Sequence, residues 1–244
     1  LIHLLHWVYD TDVVLGLSGS SGIILQSEFP ELKSVYMPSF HIRYSSGESQ
    51  IGKIFCQLHK VLRTTFLEHM YLKRLIRKEN ISCVISDHRY GLFNKSIVSI
   101  LVIHQLKLRF PRGFKIMGKL FNGIQYLFLR QFDQIWVPDF PAENSIAGSL
   151  STPPQKLNHI YRIGILSRFL MGNVETLDEP VKSYDIMVVL SGPEPQRSLL
   201  EDILTSQLEL LNQDVLFVRG VAGKKNSLKR KNIQFVPSLS YREL

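Results

Sequence analysis

The chain has 244 residues, 45% of them hydrophobic, with 29 Lys+Arg against 21 Asp+Glu for a net charge of +8. This composition excludes a disordered chain, and no apolar run is long enough for a membrane-spanning helix. The positive balance admits nucleic acid, anionic lipid or phosphorylated small molecules as partners, but the absence of a zinc-finger spacing or an aromatic RNA-binding signature leaves nucleic acid resting on charge alone, and none is expected.

The chain opens on Leu1 in what reads as the end of a helix and closes at "YREL" inside another, so material beyond both ends is expected. "TDVVLGLSG" (Thr11 to Gly19) predicts a strand closing on small residues. A short helix stopped by Pro30 follows, then a strand at "KSVYMP". Ile51 to Lys78 carries a helical pattern with Ile54, Leu58, Val61, Leu62, Phe66 and Met70 on one face. Strands are predicted at Ile81 to Asp87 and Ser96 to His104, a long helix at Phe114 to Phe132, and strands at "QIWVPDF" and Asn158 to Leu166. Cys56 and Cys83 sit in apolar stretches and read as buried free thiols of a reducing cytoplasm.

From Ser167 to Ser183 the pattern lapses into polar residues, and 168–183 reads as a linker. The alternation then resumes: strand Tyr184 to Leu190, helix Gln196 to Leu211, and strands Val215 to Val218 and Ile233 to Val236. Strands alternating with helices, several of them apolar on both faces, predict an α/β chain with parallel sheets covered by helices. The expected division is an N-terminal domain at 1–167, the linker, and the start of a second domain at 184–244. Ligands in such sheets sit beyond the carboxyl ends of the strands. The residues to inspect are therefore Ser18, Gly19 and Ser20, then Asp87, His88 and Arg89, then His104 and Gln105, and finally Ser191 and Gly192.

The turn Ser191-Gly192-Pro193 follows an apolar strand and opens a helix, with Gln196 and Arg197 in the first turn. Unpaired N–H groups, a glycine and a basic side chain suit a phosphate cradle there, while Pro193 and Pro195 read instead as plain helix-start residues. It is neither a Walker loop nor a Gly-x-Gly-x-x-Gly turn.

"ISDHRYGLFN", "SILVIHQL", "FDQIWVPDFP", "IGILSRF" and "VVLSGPEPQRSLLE" together resemble the GT-B glycosyltransferases, in particular bacterial relatives of the peptidoglycan N-acetylglucosaminyltransferase, including a Bacteroidetes branch. The resemblance implies two Rossmann-like domains with parallel sheets, the C-terminal one incomplete here, and a nucleotide-sugar donor held by the second domain. It implies a Gly-rich loop lying before Leu1, and Asn where His88 stands. Ser191, Gly192, Gln196 and Arg197 then face the donor diphosphate; Arg219 and Gly220 edge the nucleotide pocket; Pro237, Ser238 and Leu239 contact the base. Ser18, Gly19, Arg89, Tyr90 and Gln105 lie on the acceptor side. The donor is expected to be a UDP-sugar, a co-substrate rather than a cofactor, and the acceptor a hydroxyl of a lipid-linked or cell-envelope glycan.

Transfer needs a base for the acceptor hydroxyl, and Asp87 and His104, each closing an apolar strand, are the candidates. His104 reads equally as a structural histidine, and Asp87 as a turn cap or a partner of Arg89. The diphosphate is expected to be managed without metal, and His3, His6, His41, His59, His69 and His159 form no ligand spacing. The Phe114 to Phe132 helix carries more apolar residues than one buried stripe needs, with Lys107, Arg109, Arg112, Lys115, Lys119 and Arg130 around them. It reads either as a helix packed on the sheet or as a contact with an anionic membrane, which would make the protein cytoplasmic and peripheral on the inner face. Nucleotide-sugar 2-epimerases share this architecture and are the rival enzyme class; a non-catalytic sugar-nucleotide-binding protein is the other alternative.

Overall fold

The computed structural model describes residues 1–38, 50–110, 112–153, 157–167, 184–192, 194–221 and 227–239, without the side chains of 20, 50–58, 112 and 142. The expected linker 168–183, Pro193, His41 and the Cys56 side chain lie outside the described residues. Two compact units form, one of Lys60–Ser167 and one of Leu1–His59 with Arg168–Leu244.

In the first unit the strands β3 (Cys83–Asp87), β4 (Val98–Val102), β5 (Gln134–Val137) and β6 (Ile160–Arg162) pair in that order, all parallel. β4 is central and buried along almost its whole length, as its two-sided apolar sequence requires. Leu101, Ile103, Leu106, Leu129, Phe132, Ile135 and Val137 form the core, sealed by α3 (Lys115–Leu129). Each such fully buried side chain contributes about 1.5–3 kcal/mol. β3 is an edge strand, so Cys83 at its start is exposed, not buried as its apolar surroundings suggested. The edge strand β6 is three residues long, shorter than predicted, and Gly164 follows it at φ +72°.

Helix α2 (Gln50–Glu79) ends at Asn80, whose φ of +52° is the left-handed cap that asparagine tolerates. The predicted apolar face is only partly described: the side chains of Ile54 and Leu58 lie outside the described residues and Val61 is half-buried. Leu62, Phe66 and Met70 are exposed, while Glu68, Leu72 and Leu75 turn inward at i, i+4 and i+7.

The second unit holds two sheets. β1 (Val14–Leu17) and β2 (Lys33–Tyr36) pair in parallel across α1 (Gly19–Glu28), around Leu15, Leu17 and Leu32. α1 stops at Phe29, which leaves the helical region at φ -130° and ψ 64° just before Pro30. The other sheet runs β7 (Ile186–Val189), β8 (Val215–Val218), β10 (Ile233–Val236), β9 (Leu228–Arg230). All its pairs are parallel except β10 with β9. β9 is an unpredicted strand, exposed throughout and lacking any apolar alternation. α4 (Gln196–Leu208) covers one face, and Leu190, Leu208, Val215, Phe217, Ile233 and Phe235 form the core beneath it.

Candidate active site

In the Lys60–Ser167 unit the pairing of Asp87 with Val102 brings the carboxyl ends of β3 and β4 level. The His88 N–H extends the ladder by donating to the Val102 carbonyl at 3.1 Å. His88 has φ +54°, a left-handed backbone that Asn adopts more readily than most residues. His88 Nδ1 lies 3.0 Å from Asp87 Oδ1, and the His88 and His104 rings stand 4.4 Å apart, centre to centre. The two candidate bases thus sit at one strand edge with His88 between them, a residue to which the sequence assigned no role.

The hydrogen bond from His88 holds the Asp87 carboxyl below the usual carboxylate range. Partial desolvation, and then the His88 ring, push the His104 imidazole below the ordinary histidine value, against the pull of Asp87. At neutral pH His104 is therefore uncharged and able to take a proton.

Arg89 does not pair with Asp87. Its Nε and Nη2 donate to Glu68 Oε1 at 3.0 and 2.8 Å, and Glu68 Oε2 accepts the Gly91 N–H at 3.2 Å. Ser86 Oγ donates to the Arg89 carbonyl at 2.7 Å. Gly91 has no room for a side chain, since a Cβ there would lie 2.2 Å from the Thr65 carbonyl oxygen. Tyr90 points into the core, where its hydroxyl accepts from Gln125 Nε2 at 3.0 Å and burial pushes the phenol up. The same Gln125 nitrogen donates to the Gln105 carbonyl at 2.9 Å. Arg89, Tyr90 and the Gln105 backbone therefore anchor the two loops, and Glu68 and Gln125, missed from the sequence, are their partners. The Gln105 side chain turns to the Lys107 carbonyl at 3.3 Å. A further unpredicted anchor, Asp139, is buried beyond β5 and accepts from Ser145 Oγ and the Phe140 and Ile146 N–H groups.

In the other unit, Ser18 and Gly19 form the turn between β1 and α1. Gly19 has φ +56°, the Ser18 carbonyl accepts from the Gly22 N–H and Ser21 Oγ, and the Ser18 hydroxyl caps nothing.

At the carboxyl edge of the C-terminal sheet, three loops are laced together by backbone bonds. Leu190 N–H donates to Val218 at 2.8 Å, Arg219 N–H to Val236 at 2.9 Å, and Val221 N–H to Pro237 at 2.8 Å. Gly192 and Gly220 have φ of +114° and +68°, and a Cβ on Gly220 would lie 2.2 Å from the Leu190 carbonyl oxygen. Ser191, Gly192, Gly220 and Ser238 are exposed at this edge, with Leu239 partly covered.

Arg197 corrects the expected cradle. It is buried, its Nε donates to Glu194 at 2.7 Å, its Nη1 to Glu201 and the Arg219 carbonyl at 2.5 and 3.2 Å, and its Nη2 to Ser198 Oγ at 2.9 Å. With its N–H groups committed inside the fold, it positions the loops rather than meeting a phosphate. Glu194 also accepts the Ser198 N–H and hydroxyl, so a carboxylate already compensates the positive start of α4. Gln196 opens the helix partly buried. Arg219 donates to Glu201 Oε1 from Nε at 2.8 Å and stays about one third exposed, at 32%. Ser191, Gly192 and Gly220 are left exposed at this edge.

No group of three His, Cys, Asp or Glu able to hold a metal occurs among the described residues. The sequence does contain an Asp-x-Asp triplet, Asp10-Thr11-Asp12, and all three residues are exposed ahead of β1.

No protein-family model and no curated protein matches the chain. Among solved structures it is similar to the glycosyltransferase SnogD from Streptomyces nogalater, at 10% identity and a TM-score of 0.48, over 95% of this chain and 66% of that one. The chain thus spans just under two thirds of that enzyme's length.

Proposed function

We propose that the protein is a GT-B glycosyltransferase that moves a sugar from a nucleotide-diphosphate donor, with UDP-sugars favoured, to a hydroxyl acceptor. The observation that carries this reading is the paired-glycine edge of the C-terminal sheet. Gly220 lies against the Leu190 carbonyl and Gly192 sits beside it at φ +114°, leaving bare backbone at the carboxyl ends of parallel strands. This is where a diphosphate can approach N–H groups without meeting a side chain. The motifs from "ISDHRYGLFN" to "VVLSGPEPQRSLLE" support the same family. His104, uncharged at neutral pH, serves as the base, with the His88 ring against it and the charges of His88 and Asp87 tuning it in opposite directions.

The acceptor is assigned to an anionic membrane surface. α3 exposes Ile116, Leu120 and Leu127, which with Gly123 form a stripe at i, i+4, i+7 and i+11, while Gly118, Gln125 and Leu129 bury the opposite side. Lys115 and Lys119 are exposed along the stripe's margin, a pattern suited to lying on anionic lipid. Among the described residues no helix is long and apolar enough to cross a membrane.

A thermal-shift panel with UDP, GDP, dTDP, CDP and AMP, with and without magnesium, tests the donor site. Selective stabilisation by UDP is expected, because a ligand that binds only the folded state raises its melting temperature. No shift with any nucleotide would remove the reading. The Asp87–His88–His104 cluster also suits the proton transfers of a nucleotide-sugar 2-epimerase. Product analysis with a labelled UDP-sugar separates the two, since an epimerase changes the donor sugar without any acceptor.

A further inference from the structure

A second charged feature lies at the opposite end of the same strands. A cleft of about 440 Å³ is lined by Lys73, Ile76 and Arg77 from the last turns of α2 and by Asn94, Lys95 and Ser96 from the loop before β4. It sits at the amino ends of β3 and β4, where Val98 N–H meets the Ser82 carbonyl, whereas Asp87 and His104 close the carboxyl ends. Among the described residues three cations line this space and no carboxylate does.

Two physical points separate this arrangement from an ordinary solvated face. Lys73 and Arg77 are four residues apart on one helix, where like charges repel. The helix C-terminus attracts a cation in its last turn, which accounts for Arg77, but Lys95 comes from another element. The loop that brings Lys95 is fixed: Asn94 Oδ1 accepts the Ser96 N–H at 2.9 Å and the Ser96 hydroxyl at 2.7 Å, and the Asn94 N–H donates to Ser99 Oγ at 2.9 Å. A third positive charge is thus held beside two that already repel.

We infer that this cleft is an anion site for a phosphate-bearing group, distinct from the donor loops and the Asp87–His104 edge. Lys73, Arg77 and Lys95 supply the charge, and the volume accommodates a phosphomonoester or diphosphate. The phosphate belongs either to a free small molecule or to a lipid headgroup, which share this chemistry.

Calorimetric titration of the full chain with inorganic pyrophosphate tests the first source. Flotation with phosphatidylcholine vesicles carrying phosphatidic acid, against phosphatidylcholine alone, tests the second. The variants are Lys73→Ala/Lys95→Ala and Lys95→Glu; these side chains are exposed, and circular dichroism checks that the fold persists. The donor loops are untouched in both variants, so any pyrophosphate they bind remains as a common background. A roughly tenfold weaker affinity in the variants, in either arm, supports the site and identifies its source. Equal binding by wild type and variants in both arms, or no binding in either, overturns it.

Discussion

Gly220 and Leu190 are in direct backbone contact: a Cβ on Gly220 would stand 2.2 Å from the Leu190 carbonyl oxygen. Neither atom belongs to a flexible side chain, so neither gives way easily. Gly220 also has φ +68°, which disfavours any residue with a Cβ. Gly220→Ala is therefore expected to lower stability by about 2–3 kcal/mol and to separate the loops after β7 and β8. Urea unfolding measures the first effect, and loss of the nucleotide-induced thermal shift measures the second.

Much of the fold was legible because its buried strands are short apolar runs between polar turns. β8 and β10 begin and end where the residues suggested. β9 was not legible: "LKR" has no apolar alternation and becomes a strand only because β10 offers it an edge. At the site, the strand-end positions of Asp87 and His104 could be read, since parallel sheets expose those ends. The partner of Arg89 could not, since Glu68 lies 21 residues upstream on a helix whose strongest apolar stripe faces elsewhere. Arg197 is a different case. Glu194 and Glu201 stand three residues before it and four after, a helical spacing already visible in the sequence that marked its guanidinium as spoken for.

Glu201 links both arginines of the C-terminal sheet's edge, accepting from Arg197 at 2.5 Å and from Arg219 at 2.8 Å. Glu201→Gln is expected to cost about 2–3 kcal/mol in chemical denaturation, less than a deeply buried pair because Arg219 is partly exposed. The Glu201 carboxyl lies below its ordinary value despite desolvation, held there by Arg219 and Arg197. A depressed folded-state pKa stabilises above the unfolded value and is lost as the pH falls through the folded one. Asp139 acts in the same direction, depressed chiefly by the Ser145 hydroxyl. Wild-type stability should hold above about pH 5 and fall steadily below about pH 4, with a shallower acid dependence in the variant.

The His104 imidazole is depressed first by desolvation and then by His88, so protonation below the ordinary histidine range abolishes its capacity as a base. In the fold this depression favours neutral His104; its stabilising share is present above the unfolded value and lost as pH falls. His88→Asn suits the φ of +54° and should change stability by less than about 0.5 kcal/mol. It removes the His88 ring, the second cause of the depression after desolvation, so the NMR-titrated His104 pKa should rise. The acid limb of the activity profile should move up with it; a limb that stays in place would assign the proton transfer to another group.

The loop carrying Asp87 and His88 is clamped to α2 through Glu68, which is only 6% exposed. Glu68→Gln weakens the Arg89 pair inside the fold and is expected to cost about 3 kcal/mol. Gly91→Ala forces a Cβ toward the Thr65 carbonyl and Glu68, at 2.2 and 2.7 Å, and should destabilise by a similar amount. Hydrogen exchange should show faster opening at residues 86–91 in both variants, while the C-terminal sheet keeps its protection.

Ile116 is 86% exposed and Leu127 61%, on the side of α3 opposite its packed face. Solvent already surrounds both side chains in the folded protein, so replacing them with acid removes little burial. Ile116→Asp/Leu127→Asp should therefore shift stability by no more than about 0.5 kcal/mol per site. On an anionic vesicle the same change withdraws two apolar contacts and sets negative charge against the lipid, beside Lys115 and Lys119. Co-sedimentation with phosphatidylglycerol-containing vesicles should weaken at least tenfold. Undiminished binding would show that this stripe is not the membrane contact. Binding by neither protein would leave α3 an amphipathic helix with an exposed seam and detach the acceptor from the membrane.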